Sequence, residues 1–148
     1  MELVFVYGTL KDGFPNSRFN AGERIVGEFF TNERYELYLV GERFVPWLID
    51  QPGVGSQVTG ELFAVDTAGL EALDALESVG KPHGYARSKI AVTSSEAADV
   101  RSAFVYMKSS DQLSANEVRA GPLVSYELSH AALYVPRSKR LSIGKGIS

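Results

Sequence analysis

The sequence predicts an α+β protein built on a small, mainly antiparallel β-barrel-like or strongly coiled sheet with few helices. Three observations favour it: many short strand-like segments, turn residues between them, and one convincing helix pattern. A chain of 148 residues, of which 45% are hydrophobic, is long enough to bury a core without disulfides. We expect one domain over residues 1–136. The basic segment 137–148 is interpreted as a solvated tail to which we assign no function.

The elements follow from local composition. Runs of β-branched and aromatic residues bounded by turn residues predict strands over residues 2–7, 23–30, 35–40, 44–49, 58–65, 85–93 and 100–108. Pro46 indicates that the fourth of these is an edge or irregular strand, because proline cannot donate to a ladder. Asp66 or Thr67 is expected to cap a helix that runs to Glu77, and a weaker helical pattern covers residues 114–119.

The first strand runs directly into a glycine break. Residues 4–10 read Val-Phe-Val-Tyr-Gly-Thr-Leu, and Gly8 lets a ligand approach the backbone and allows a positive φ. The N–H groups of Thr9 and Leu10 then need no strand partner. Grouped backbone donors at a strand end suit an anion or a developing oxyanion. The alternative interpretation is a plain turn without function.

The helix carries a carboxylate on its apolar side. At about 100° per residue, Glu77 lies between Leu70 and Leu73 on the helical wheel. A carboxylate facing the core is unfavourable unless it is paired, hydrogen-bonded or neutral, and burial raises its pKa towards the range used in proton transfer. Alternatively, Glu77 swings into water or pairs with Arg87. We expect Asp74, at the margin of the apolar side, to be a solvated flank.

Composition excludes several classes of function. A net charge of −3 gives no electrostatic case for nucleic acid, and no run approaches the roughly 20 apolar residues of a membrane span. The absence of cysteine excludes disulfides and thiolate chemistry and is consistent with a cytoplasmic protein. His83 and His130 lack the spacing of a metal site, and neither a serine triad nor a dinucleotide motif is present. We therefore expect no metal and no cofactor. The oligomeric state stays open, with a monomer favoured.

The opening motif resembles that of the γ-glutamylcyclotransferase superfamily, in particular its γ-glutamylamine cyclotransferase, avirulence-induced-gene-like branch. The residues that carry the resemblance are Val6-Tyr7-Gly8-Thr9-Leu10 with Lys11, Gly13 and Asn16, then Pro46-Trp47-Leu48, Gly60-Glu61, Glu77-Ser78, Tyr85, Arg87, Ser125-Tyr126, Tyr134 and Pro136-Arg137. The similarity covers nearly the whole chain up to Arg137. The sequence departs from the pattern at Leu76, where an aromatic residue is usual, and over residues 127–133, which leaves the leaving amine open.

The resemblance implies a barrel-like fold with the site at one mouth. It implies that Tyr7, Gly8, Thr9 and Leu10 hold a γ-glutamyl group, that Glu77 is the catalytic carboxylate, and that Tyr85 and Tyr126 contribute to substrate binding. The implied reaction closes a γ-glutamyl amine, with γ-glutamyl-ε-lysine as the leading candidate, into 5-oxoproline and releases the amine without a cofactor. The alternatives are γ-glutamyl-amino acids or peptides as substrates, or a non-catalytic module that binds a small carboxylate.

Overall fold

A computed structural model describes residues 1–137. Over these residues the chain forms nine strands and two α-helices, joined by loops that include three short 3₁₀ turns. The strands are β1 (Glu2–Val6), β2 (Glu23–Arg24), β3 (Phe29–Thr31), β4 (Leu37–Val40), β5 (Val45–Leu48), β6 (Thr59–Val65), β7 (Ala86–Ser94), β8 (Val100–Met107) and β9 (Val118–Ala120). The helices are α1 (Thr67–Leu76) and α2 (Leu128–Ala131). The predicted α+β class is confirmed.

Five strands close into a barrel in the order β1-β8-β7-β3-β6, because β6 pairs again with β1. All of these pairings are antiparallel except that of β1 with β8, where Val4 lies opposite Phe104 in a parallel register. The short strand β2 pairs with the far end of β6. A separate three-stranded sheet has the order β5-β4-β9. The sheet is therefore mainly antiparallel, as the sequence predicted.

Alternation along β1 divides the apolar side chains between two clusters. Phe5 belongs to a cluster that gathers side chains from the barrel strands and from β4 and β5. Val4 and Val6 point to the other side, where they pack with Leu70 and Leu73 of α1. The helix is therefore held against the outside of the barrel by its leucine stripe. This contact brings the end of α1 close to the end of β1.

Two of the predicted elements differ from those observed. Residues 23–30 form two short strands rather than one, because Gly27 between them has φ of +106° and the two parts pair with separate stretches of β6. The helix predicted over residues 114–119 is wrong. A single 3₁₀ turn, Ala115–Glu117, leads there into β9, which pairs with β4. The expectation that the Pro46 segment is an edge strand is confirmed, since β5 lies at the edge of its sheet.

The predicted basic tail lies outside the described residues apart from Arg137, which is exposed. The assignment of residues 1–136 to one domain stays a prediction. No helix within residues 1–137 has the length and apolar character needed to cross a membrane.

Candidate active site

A cavity of about 410 Å³ opens where the end of β1 meets β5, the end of α1 and the end of β8. This volume lies in the range of small-molecule sites. Six of the seven residues predicted for the site line it, namely Tyr7, Gly8, Thr9, Leu10, Glu77 and Tyr85. The fold therefore brings together the opening loop and the helix-end carboxylate, which the chain separates by nearly half its length.

The opening loop is held in place by close packing and by Asn16. A Cβ atom added to Gly8 would lie 2.8 Å from Cγ of Pro46, so close packing rather than a positive φ requires glycine here. Asn16 donates from its backbone N–H to Thr9 O (2.8 Å) and from Nδ2 to Thr9 Oγ1 (2.9 Å). Within residues 1–137, the N–H groups of Gly8, Thr9 and Leu10 have no protein acceptor. Grouped backbone donors without a protein acceptor are of the kind that suits an anionic group.

The backbone at the end of α1 determines the position of Glu77. Asp66 caps the start of the helix by accepting a hydrogen bond from Gly69 N–H (2.7 Å), and Glu77 is the C-cap. Val79 N–H donates to Asp74 O (3.0 Å) and Ser78 N–H to Ala75 O (3.2 Å), which is the Schellman pattern. Ser78 has φ of +56°, a conformation that glycine usually supplies at this position. The carboxylate is thus carried on a tightly closed helix end.

The protein surroundings shift the acidity of Glu77. Its side chain is half-buried and lines the cavity. Burial raises the pKa of the carboxyl group from 4.5 to about 7, and the positive charges of Lys108 and Arg137 limit this rise. A carboxyl group with this pKa both accepts and returns a proton near neutral pH.

A buried lysine faces the same cavity. Lys108 is 4% exposed, and its Nζ donates to His83 O (2.6 Å) while lying 4.4 Å from the centroid of the Trp47 ring and 4.5 Å from that of Tyr85. Burial lowers its pKa to about 8, against the opposing effect of the Glu77 charge. Sequence reasoning missed this residue. The available signal was a lysine that directly follows the apolar strand segment Phe104–Met107.

The two tyrosines of the site shape its walls. Tyr7 donates its hydroxyl proton to Tyr106 O (2.7 Å) and accepts from Leu48 N–H (3.3 Å). Tyr85 donates to Pro46 O (2.9 Å). Burial raises the pKa of both hydroxyls above the ordinary value of 10.0, so both are neutral at physiological pH. Because each hydroxyl proton is bound to a backbone carbonyl, the rings are fixed in orientation.

Asp74 is not the solvated flank that the sequence predicted. Its carboxylate accepts a hydrogen bond from Tyr106 Oη (2.7 Å) and forms an ion pair with Arg87 Nη1 (2.8 Å). Strand β8 supplies Tyr106 and β7 supplies Arg87. Barrel strands therefore cover the side of α1 on which the helical wheel predicted Asp74 to be exposed to solvent. The alternative in which Glu77 pairs with Arg87 is also wrong, since Arg87 pairs with Asp74.

Tyr126 is the predicted site residue that the structure does not bring to the cavity. Its side chain is fully buried, with ring centroids of Phe14 and His130 at 5.8 and 6.0 Å. Its hydroxyl has no hydrogen-bond partner within the described residues. Its backbone carbonyl accepts from Lys11 Nζ (2.6 Å). Tyr126 is therefore placed as a core residue.

Acidic and histidine side chains are scattered rather than grouped. Over the described part of the chain, no three His, Cys, Asp or Glu side chains come close enough to hold a metal ion. Glu77 itself has cationic neighbours, Lys108 and Arg137, rather than other carboxylates. The cavity is thus built around one carboxyl group and several positive charges.

Comparison with known proteins identifies relatives of this chain. The γ-glutamylaminecyclotransferase of Homo sapiens is 44% identical over 99 residues, which are 62% of this chain and 62% of that protein. γ-Glutamylaminecyclotransferase B of Danio rerio is 40% identical over 116 residues, 73% of this chain and 60% of that protein. The chain thus spans about three fifths of the length of these curated relatives.

A solved structure and a family model point to the same relationship. The crystal structure of an AIG2-like protein from Mus musculus matches with a TM-score of 0.80 at 33% identity, covering 93% of this chain and 97% of that one. A family model described as γ-glutamyl cyclotransferase, AIG2-like, matches residues 4–128, which include the opening loop and Glu77. The chain therefore belongs to the AIG2-like γ-glutamyl cyclotransferase family.

Proposed function

We propose that the protein is a γ-glutamylamine cyclotransferase that converts a γ-glutamyl amine into 5-oxoproline and the free amine, with γ-glutamyl-ε-lysine as the leading substrate. One observation carries the proposal. Glu77, whose pKa is about 7, lines the same cavity as the Gly8–Leu10 amides, which have no acceptor within residues 1–137. A proton-transfer group and a set of fixed donors are the two elements that this cyclisation requires.

The reaction is intramolecular. The α-amine of the γ-glutamyl group attacks the carbon of its own γ-amide, a carbon–nitrogen bond closes the five-membered ring, and the bond to the leaving nitrogen breaks. Two of the three protons of the α-ammonium are transferred to the leaving nitrogen, which departs as a primary ammonium. Glu77 takes each proton from the attacking nitrogen and returns it to the leaving one. The tethered nucleophile needs only to be folded back onto the amide, which the cavity walls favour.

The opening loop holds the oxygen atoms of the substrate. As the amine attacks, negative charge develops on the amide oxygen, and fixed N–H donors stabilise that charge without reorganising. The N–H groups of Gly8, Thr9 and Leu10 fill this role and also bind the α-carboxylate. Tyr7 and Tyr85, fixed by their hydroxyl hydrogen bonds, flank the folded chain of the substrate.

Replacement of Glu77 by glutamine tests the role of the carboxylate. Glutamine keeps the shape of the side chain but cannot take a proton, so the release of 5-oxoproline from γ-glutamyl-ε-lysine should fall by about 10²- to 10⁴-fold. Glu71→Gln is the matched control, since Glu71 is an exposed residue of the same helix. Wild-type turnover by Glu77→Gln, with the folded structure retained, refutes the assignment.

Two alternatives are separated by the choice of ligand. Side-by-side turnover of γ-glutamyl-ε-lysine, a γ-glutamyl-α-amino acid and glutathione shows which γ-glutamyl compounds are substrates. Titration with 5-oxoproline, followed by amide NMR signals, tests product binding at Gly8–Leu10. Binding of 5-oxoproline without turnover of any γ-glutamyl compound indicates the non-catalytic carboxylate-binding module instead.

A further inference from the structure

Lys108 is a buried cation in the cavity wall that takes no part in the reaction described above. The residue is 4% exposed, and within residues 1–137 its ammonium forms no ion pair with a carboxylate. The hydrogen bond to His83 O occupies one of its three N–H donors, which leaves two without a hydrogen-bond acceptor in the described part of the chain. A buried charge without an ion pair is unfavourable for folding, and groups of this kind are concentrated at functional sites.

The main chain and two aromatic rings fix the position of this ammonium. Lys108 N–H donates to Leu48 O (2.9 Å), and Lys108 O accepts from Asp50 N–H (2.8 Å), so its backbone is bound to the segment at the end of β5. Its Nζ lies 4.4 Å from the centroid of the Trp47 ring and 4.5 Å from that of Tyr85. Ring faces attract a cation but do not neutralise it. The ammonium is therefore held at a fixed place in the wall with its charge unpaired.

Glu77 and Lys108 face the cavity from neighbouring positions. Tyr85 N–H donates to Glu77 O (3.0 Å), and the ring of the same tyrosine contacts the Lys108 ammonium. The Lys108 charge lowers the pKa of Glu77, and the Glu77 charge raises that of Lys108. The carboxylate and the ammonium are thus close in space without forming an ion pair, which leaves both able to act on a bound ligand.

The parallel pairing of β1 with β8 brings Lys108 to the opening loop as well. Val4 lies opposite Phe104 in this pairing, so the two strands run in the same direction and end at the same side of the barrel. The chain continues from β1 into Tyr7 and Gly8–Leu10, and Lys108 directly follows β8. The opening loop, Glu77 and Lys108 consequently line one cavity.

We propose that Lys108 is a second proton-transfer group of the reaction, which gives a proton to the leaving nitrogen while Glu77 takes one from the attacking nitrogen. This inference rests on the proposed function. The α-ammonium of the substrate is attracted by Glu77 and repelled by Lys108, so the amide nitrogen is the substrate nitrogen that approaches the lysine. Because burial lowers the pKa of Lys108 to about 8, it gives up a proton more readily than an exposed lysine does.

Both residues end the cycle in the state in which they began. Glu77 takes a proton from the α-ammonium, and the resulting amine attacks the amide carbon. Lys108 then gives a proton to the leaving nitrogen, the carbon–nitrogen bond breaks, and its electron pair goes to the departing amine. The ring nitrogen loses its second proton to the Lys108 amine, and Glu77 returns its own proton to the departing amine, which leaves as an ammonium. Two groups thus share the two proton transfers that Glu77 would otherwise carry in succession.

Two leaving groups of different basicity test the inference in Lys108→Met. The amine released from γ-glutamyl-ε-lysine is strongly basic and needs a proton as its bond breaks. The p-nitroaniline released from γ-glutamyl-p-nitroanilide is weakly basic, because its lone pair is delocalised, and it departs with little help from an acid. We expect the substitution to lower kcat/KM for the lysine derivative by about 10²- to 10⁴-fold, and for the anilide by a factor about 10 or more times smaller.

The change in the acidity of Glu77 is common to both substrates and cancels in this comparison. An equal loss for the two substrates therefore overturns the inference and leaves the proposed function intact. Turnover of neither substrate by the wild type overturns the proposed function as well.

Lys108→Arg separates proton transfer from charge. A guanidinium keeps the positive charge but does not release a proton, so kcat/KM for the lysine derivative should fall about as far as in Lys108→Met, while the acidic limb of its pH profile stays near 7. Lys89→Met is the matched control, because Lys89 is an exposed lysine whose Nζ lies 4.8 Å from the centroid of the Phe104 ring, outside the cavity. Wild-type turnover by Lys108→Arg shows that charge alone suffices and overturns the inference.

Discussion

Glu77→Gln should make the protein more stable at alkaline pH while it strongly lowers turnover. In the unfolded chain the Glu77 carboxyl ionises near 4.5, whereas in the folded protein burial raises its pKa to about 7. Between these values the folded state binds the extra proton, so stability of the wild type falls as pH rises through this window. The loss is complete above pH 7 and absent below pH 4.5. Glutamine does not titrate and carries no such penalty.

The magnitude follows from the size of the pKa shift. Each pKa unit corresponds to about 1.36 kcal/mol, so a rise from 4.5 to about 7 corresponds to about 3 kcal/mol. The side chain is half-buried and faces a cavity, which screens part of this penalty. We therefore expect Glu77→Gln to exceed the wild type by about 1 to 3 kcal/mol in free energy of unfolding at pH 8.5.

Lys108 makes the choice of pH important. Its pKa is about 8, so at pH 8.5 most of its charge is lost, in the wild type as in the variant. Between about pH 7 and pH 8 the variant instead leaves a buried ammonium without the Glu77 carboxylate nearby, which subtracts from the gain. Measurements at pH 4.5 and at pH 8.5 thus bracket the effect of the carboxylate.

Urea unfolding followed by the fluorescence of Trp47, the single tryptophan, measures this difference. At a slope of roughly 2 kcal/mol per molar urea, a gain of about 2 kcal/mol moves the midpoint by about 1 M. Glu71→Gln, on the exposed side of α1, should match the wild type at both pH values. The predicted effect of burial is refuted if the difference in free energy of unfolding between Glu77→Gln and the wild type is the same at pH 4.5 and pH 8.5. It is also refuted if the variant is less stable than the wild type at pH 8.5.

Three further predictions address other parts of the site. Lys108→Met removes a charge that lowers the pKa of Glu77, so the acidic limb of the pH profile of kcat/KM should move above 7; an unmoved limb contradicts the coupling. Gly8→Ala puts a Cβ 2.8 Å from Pro46 Cγ and should lower both the stability in urea and kcat/KM. Wild-type values of both would show that the opening loop can shift to admit the methyl group without loss. Tyr126→Phe removes a buried hydroxyl without a partner in residues 1–137 and should leave stability unchanged or slightly higher, with KM unaltered. A raised KM would return Tyr126 to the substrate site.

Glu77 and the opening loop were predictable because their signals are local. The helical period alone directs Glu77 to the side of Leu70 and Leu73, and the structure finds it at the cavity. Likewise, a strand followed by Gly8 indicates spare backbone donors whatever the rest of the fold. The physical reason for Gly8 was not predictable, since the contact with Pro46 joins distant parts of the chain.

The surroundings of Lys108 and Asp74 could not be predicted from the local sequence. Lys108 follows an apolar strand, and no hydrophobic periodicity in the sequence indicates that Trp47 and Tyr85 will enclose it. Its position depends on the bridge between Ile49 and Lys108, which forms when the three-stranded sheet meets the barrel. The wheel put Asp74 at a polar margin, but Tyr106 from β8 covers it. In both residues the deciding contact comes from a strand that is remote in sequence.

The pKa of Glu77 depends on two opposing influences, burial and nearby positive charge, that this arrangement combines. Burial raises it. The positive charges of Lys108 and Arg137 lower it, so the carboxyl group gives up its proton more readily than burial alone would allow. Without burial, the group would ionise near its ordinary value of 4.5 and return a proton poorly to a leaving nitrogen. The burial of Glu77 therefore explains two properties. It makes the ionised carboxylate destabilise the fold at alkaline pH, and it gives the carboxyl group a pKa suited to proton transfer.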